Sequence, residues 1–135
     1  MPPELELIKQ WMERSAADLR SAQVLLEASP PLTETSCFHC QQTVEKALKA
    51  LLAYRNVEFP WSHQIGYLFD LCADFDESIE QFRDSAVPLT DYAVRFRYPR
   101  GGNSPTDKQS RHAITTARQV YEFVLERLPN ETHPC

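Results

Sequence analysis

The spacing of apolar residues along the chain predicts a series of amphipathic helices. In residues 4–28, apolar and small side chains recur every three or four residues, which places them on one face of a helix. The same spacing recurs in residues 33–55 and again in the last helix, which ends near Leu128. The stripes predicted to face a core are Ile8, Met12, Ser15, Leu19, Ala22 and Leu26; Cys37, Cys40, Val44, Leu48, Leu51 and Tyr54; and Ala113, Ala117, Val120, Val124 and Leu128.

Capping residues predict where these helices begin. Thr33 is expected to cap the second helix and Ser62 a shorter third helix, because their side-chain oxygens can accept from free backbone N–H groups. The last helix is expected to start with Ser104 as its cap, Pro105 at the first position and Asp107 at the third. Shorter helical pieces are expected after Asp74 or Asp76, and from Pro88 to Phe96. The short connections predict antiparallel neighbours.

Composition supports a single all-α domain. The chain has 135 residues, 42% hydrophobic and 24% charged, and three glycines, which are too few for the turns of a β-sheet protein. We therefore expect an antiparallel up-and-down bundle spanning residues 1–128, followed by a tail at 129–135. Residues 1–10 lack the apolar region of a signal peptide, and no apolar run could span a bilayer. These features favour a cytoplasmic protein with no membrane contact and free cysteines.

Basic residues concentrate near the last two helices of an otherwise acidic chain. The net charge is −5, but residues 95–118 hold six basic residues and one acidic residue. The stretch Arg95-Phe96-Arg97-Tyr98-Pro99-Arg100 alternates arginine with aromatic residues, a pattern that suits phosphate contact and base stacking. The following helix N-terminus could add backbone donors to the same anion. The alternative is structural: cations at a helix C-terminus complement its dipole, and Tyr98-Pro99 packs the turn.

Other chemistry-bearing residues have simpler interpretations. Cys37 and Cys40 form a C-x-x-C, which we interpret as small core residues, since a zinc site would also need Cys72 and His63. His63 is interpreted as a helix-entry residue that bonds a nearby carbonyl or carboxylate. No nucleophile–base arrangement, metal site or cofactor motif is predicted.

Polar residues on the second helix allow two interpretations. Glu45 and Lys49 form an i,i+4 pair that is typical of a solvated face. Gln41 and Glu45 lie one turn apart, so they could instead project toward the end of the bundle and meet an arginine.

The second helix also resembles a known signature. Residues 38–52, FHCQQTVEKALKALL, resemble the second helix of HEPN domains, named for nucleotide binding in higher eukaryotes and prokaryotes. The resemblance extends to Ser62-His63 and to Arg97-Tyr98-Pro99, across roughly residues 5–128. It implies a four- to five-helix up-and-down bundle that is usually a homodimer. It also implies a separately encoded minimal nucleotidyltransferase, in a toxin–antitoxin-like pair, for which the chain is the nucleotide- or substrate-binding or regulatory subunit.

Some HEPN proteins cut RNA without metal, using an arginine followed four to six residues later by a histidine. Neither Arg95 nor Arg97 has a histidine at that spacing, so no catalytic residue is assigned and RNA is a less favoured ligand. Two alternatives stay open: an RNase that uses His112 across a dimer cleft, and a purely structural dimerisation module. The predicted ligand-binding residues are Gln41, Glu45, Lys46, Arg95, Arg97, Tyr98 and Arg100.

Overall fold

The computed structural model describes residues 1–97 and 103–135, and the side chains of all of these except residues 94–97. This part of the chain is all-helical, with no strand. Its α-helices are α1 (Pro3–Glu27), α2 (Thr33–Tyr54), α3 (Ile65–Ala73), α4 (Arg83–Ala86), α5 (Thr90–Arg97) and α6 (Asp107–Arg127). Short 3₁₀ turns lie at Glu77–Phe82, Val87–Leu89 and Asn130–Thr132. The helix α4 is a single turn. The other α-helices of the described residues form the expected four- to five-helix bundle.

The two longest helices are antiparallel, as predicted from their short connection. The hydroxyl of Ser36, near the start of α2, donates to the carbonyl of Ala22 at 2.7 Å. The hydroxyl of Ser15, further back along α1, donates to the carbonyl of Thr43 at 2.7 Å. Later residues of α2 therefore lie beside earlier residues of α1, so the two helices run in opposite directions. These bonds also satisfy two buried hydroxyls, which would otherwise be costly.

The helix α2 forms the centre of the bundle, because α1, α3, α5 and α6 all pack against it. The predicted stripes of α1 and α6 are buried throughout, and that of α2 is buried except at Tyr54. Burial on nearly every side explains why fourteen residues of α2, polar ones included, are buried. A helix in this position gains stability from packing more than from its intrinsic propensity.

The predicted caps were wrong at three helix starts. The helix α6 begins at Asp107 and is capped by Thr106, not by Ser104. The Thr106 hydroxyl accepts from the backbone N–H of Gln109 at 3.0 Å, and the Gln109 side chain accepts from the N–H of Thr106 at 2.9 Å. This complete capping box satisfies two donors, whereas a start at Ser104 offers only Asp107 at the third position. Upstream, α2 and α3 begin without side-chain caps, at N-cap positions 32 and 64.

Of the two residues expected to start the next helical piece, Asp74 and Asp76, the cap is Asp76. Its carboxylate accepts from the backbone N–H of Ser78 at 3.1 Å and pairs with Arg127 at the end of α6 at 2.5 Å. The bonds from Ser78 and Arg127 hold the pKa of Asp76 below its usual range. The residues after α6 turn back onto α1, with Thr132 buried and the ring of His133 hydrogen-bonded to the carbonyl of Leu125 at 2.8 Å.

Candidate functional site

The end of α2 sets the path of the segment that leads into α3. Asn56 adopts a left-handed conformation with φ of 58°, which asparagine tolerates better than most residues. The N–H of Val57 donates to the carbonyl of Leu52 at 2.9 Å, and that of Asn56 to Ala53 at 3.1 Å. This is a Schellman termination, and it turns residues 57–64 back along the side of α2.

Three side chains of α2 and this segment form a hydrogen-bonded polar group. The Nδ1 atom of His63 lies 2.8 Å from Oε1 of Glu45, and the carbonyl of His63 accepts from Nε2 of Gln41 at 3.0 Å. Gln41 also donates to Glu45 at 3.1 Å, and its own carbonyl accepts from Gln42 at 2.6 Å. Both the ring and the backbone of His63 are therefore fixed by residues of α2. The expectation that His63 bonds a nearby carboxylate is confirmed.

The ammonium group of Lys49 completes this group on its inner side. Its Nζ lies 3.0 Å from Oε2 of Glu45 and 5.6 Å, 5.9 Å and 5.6 Å from the ring centroids of Trp11, Phe59 and Trp61. Cations are attracted to the faces of aromatic rings, most strongly where water is excluded. We call the set Gln41, Glu45, Lys49, Trp61 and His63 the α2–α3 corner.

The interpretation of Glu45 and Lys49 as a solvated pair was wrong. The spacing predicted their contact, but only 3% of Glu45 and 2% of Lys49 is exposed, and Gln41 is fully buried. Burying an ion pair costs desolvation that is recovered only with good geometry and additional hydrogen bonds. The α2–α3 corner supplies these additional hydrogen bonds, since Glu45 accepts from Gln41, Lys49 and His63.

Lys46 lies on another side of α2. Its Nζ donates to Oδ2 of Asp18 on α1 at 2.6 Å, while Nδ1 of His39 lies 2.8 Å from the other oxygen of Asp18. Asp18 is itself buried. The structure thus joins Gln41 and Glu45 in one place and puts Lys46 in a second polar group.

The remaining predicted ligand-binding residues belong to the basic stretch after Thr90. Arg95 and Arg97 lie on α5 with side chains outside the described part, and Tyr98 and Arg100 lie outside the described residues altogether. The start of α5 is placed: the Oγ1 atom of Thr90 accepts from the N–H of Ile65 at 3.4 Å, two residues beyond His63. The basic stretch therefore begins on a helix whose first residue lies next to the corner.

The C-x-x-C residues are core residues, as interpreted from the sequence. Cys37 and Cys40 are buried, and the thiol of Cys37 lies 3.5 Å from the hydroxyl of Ser110. Burial raises the pKa of both thiols and raises the pKa of Cys72 to about 12, so all three stay protonated near neutral pH. Within the described ranges, no three histidine, cysteine or acidic residues are grouped as metal ligands.

The other residues of interest are spread over the surface. His112 is exposed on α6, facing a hollow lined by Lys108 and Tyr92. Of the large aromatic residues that a structural dimerisation module could use, Trp11 and Phe59 are partly buried against the core, whereas Tyr67 and Trp61 are exposed. The aromatic surroundings of Lys49 were missed from the sequence, although the run Phe59-Pro60-Trp61 just before His63 was a signal.

Comparison with known proteins identifies the domain. The family model of the HEPN domain matches residues 8–128, which is nearly the whole chain. The chain belongs to the HEPN domain family. The resemblance noted in the second helix is thereby confirmed for the fold and the family.

Two solved structures resemble this HEPN domain closely. A crystal structure of TT1696 from Thermus thermophilus has 29% identity and a TM-score of 0.71, and the match covers 90% of this chain and 98% of that one. The crystal structure of ST0689, an archaeal HEPN homologue, has 22% identity and a TM-score of 0.71, with 89% and 96% covered. No curated protein matches the chain.

Proposed function

We propose that this HEPN domain is a non-catalytic nucleotide- or substrate-binding or regulatory subunit that works with a separate minimal nucleotidyltransferase. The partner would supply the metal-binding acids and the chemistry, while this chain, as a homodimer, would hold the ligand. The predicted arginines after Thr90 would contact phosphate groups, and the α2–α3 corner would form the adjoining wall.

The observation that carries this proposal is the burial of Gln41, Glu45 and Lys49. A bundle that only needs to fold is usually at least as stable with apolar residues in such positions. Here Gln41 and Glu45 instead bond His63, a residue at the surface, and Lys49 pairs with Glu45. Polar groups arranged in this way are typical of binding sites, where a few fixed groups orient a ligand.

A thermal-shift titration with ATP and other nucleotides tests the proposal. A ligand at one hundred times its dissociation constant should stabilise the folded state by about 2.7 kcal/mol, several degrees for a domain of this size. We expect the shift to disappear in Arg97→Ala. The matched control is Arg111→Ala, which removes an exposed arginine that pairs with Asp107 on α6.

Measurements of RNA cleavage and of oligomeric state, made beside this titration, separate the proposal from its rivals. Metal-independent cleavage of RNA that disappears in His112→Ala would favour an RNase. The absence of any ligand shift, together with a stable dimer, would favour a structural dimerisation module. In the part of the chain that is described, no helix combines the length and apolar composition needed to cross a bilayer.

A further inference from the structure

Trp61 is the most exposed large apolar side chain in the described part of the chain. It exposes 94% of its surface, and the next is Met1 at 58%. The ring is nevertheless not isolated, since its centroid lies 5.6 Å from the buried Nζ of Lys49. It therefore presents a broad apolar surface to solvent directly above a fixed cation.

His63 lies two residues further on and has one ring nitrogen available. A carboxylate can only accept a hydrogen bond, so Nδ1 of His63 donates to Glu45 and carries a proton. The imidazole side chain is 45% exposed, whereas that of Glu45 is 4% exposed. Among the described side chains, none hydrogen-bonds Nε2. This pairing puts a proton on Nδ1 and fixes the direction of the ring.

Charge at the corner is balanced before any ligand arrives. Lys49 neutralises Glu45 at 3.0 Å, and Gln41 adds donors without charge. The ring of His63 therefore does not lie beside an unbalanced negative charge that would repel an anion. When the ring carries a proton on both nitrogens, Nδ1 can donate to Glu45 while Nε2 donates to a phosphate oxygen.

From this geometry we infer that Trp61 and His63 bind a nucleotide directly, with the base stacked on the indole of Trp61 and a phosphate hydrogen-bonded to Nε2 of His63. This inference rests on the proposed function, because it assigns the residues that contact the ligand. Gln41, Glu45 and Lys49 are then positioning residues, which hold the two contacting side chains. Stacking on an exposed ring tolerates any base, so recognition here favours nucleotides as a class.

The test is calorimetric titration of the full chain with ATP, adenosine and inorganic tripolyphosphate. Trp61→Ala should weaken ATP and adenosine binding by about tenfold or more, which is the range measured for loss of base stacking, and Trp61→Phe should keep most of it. His63→Ala should weaken ATP and tripolyphosphate binding by about tenfold through the lost charged hydrogen bond, and leave adenosine within about twofold.

The chain offers a matched control for each variant. Tyr67→Ala removes another exposed aromatic ring, and His39→Ala removes the other carboxylate-bound imidazole, which pairs with Asp18. Both should bind ATP within about twofold of the wild type. Thermal melts of each variant check that the fold is kept.

The outcomes distinguish this inference from the function on which it rests. ATP binding that is lost in Arg97→Ala but unchanged in Trp61→Ala and His63→Ala would keep the proposed function and overturn the inference. A Trp61→Ala variant that turns a dimer into a monomer while binding ATP normally would also overturn it. A wild-type protein that binds none of the three probes would overturn both the inference and the proposed function.

Discussion

Replacing Glu45 with glutamine removes a buried negative charge and leaves the shape of the side chain almost unchanged. The ammonium group of Lys49 then stays buried, 3.0 Å from a neutral amide. Breaking a buried ion pair from one side typically costs about 3–5 kcal/mol, because the remaining charge is desolvated without a counterion. The three rings around Nζ are present in both proteins, so their attraction for the cation cancels in the comparison. We therefore expect the variant to lose about 3–5 kcal/mol of unfolding free energy.

Urea denaturation followed by far-UV circular dichroism measures this loss. The double variant Glu45→Gln, Lys49→Met removes the stranded charge, so it should recover most of the loss. Glu122→Gln provides the control, since Glu122 is exposed on α6 and its change should cost less than about 0.5 kcal/mol.

Two results would refute this reasoning. A loss below about 1 kcal/mol in Glu45→Gln would mean that Lys49 reaches solvent or another partner. A double variant as unstable as the single one would mean that the loss comes from the hydrogen bonds to Gln41 and His63 and not from the unpaired cation.

Three further predictions follow from the fold. Thr106→Ala should lower the unfolding free energy by about 1 kcal/mol through loss of the α6 cap, whereas Ser104→Ala should change it by less than about 0.5 kcal/mol, as measured by urea denaturation. Asp76→Asn should be less stable than the wild type at neutral pH. Because the pKa of Asp76 is lowered in the folded state, its contribution is present above the ordinary carboxyl pKa and disappears as the pH falls through the lowered value, so melts of the two proteins should converge in acid. In native buffer, a thiol reagent should modify exposed Cys135 quickly and the three buried thiols only on unfolding, and four fast-reacting thiols would contradict the packing.

The apolar pattern predicted most of the fold because burial in a bundle follows helical periodicity. Every stripe position of α1 and α6 is buried, since each of these helices presents one face to the core. The pattern was less precise at helix starts, where several capping residues compete. Ser104 and Thr106 are both good caps, and the decisive feature was the Gln109 side chain three residues after Thr106.

The candidate site was harder to predict, because a buried polar pair and a solvated one have the same spacing. Glu45 and Lys49 have the spacing of a surface pair when only the sequence is considered. Their burial depends on the segment after Asn56, which folds back and places Phe59 near Lys49 and His63 against Glu45. Such a contact between distant residues leaves no trace in local periodicity.

The geometry of α2 explains why Lys46 and Glu45 belong to different polar groups. With about 3.6 residues per turn, residues four apart lie on one face, and residues seven apart nearly coincide after about two turns. Glu45 therefore contacts Lys49. His39 and Lys46 lie on another face of the helix, and both contact Asp18 on α1. Neighbouring residues differ by about 100° around the axis, which directs Lys46 away from the α2–α3 corner. A ligand held at the corner should thus depend on Gln41, Glu45 and Lys49, and Lys46→Ala should leave its affinity unchanged in the same titration.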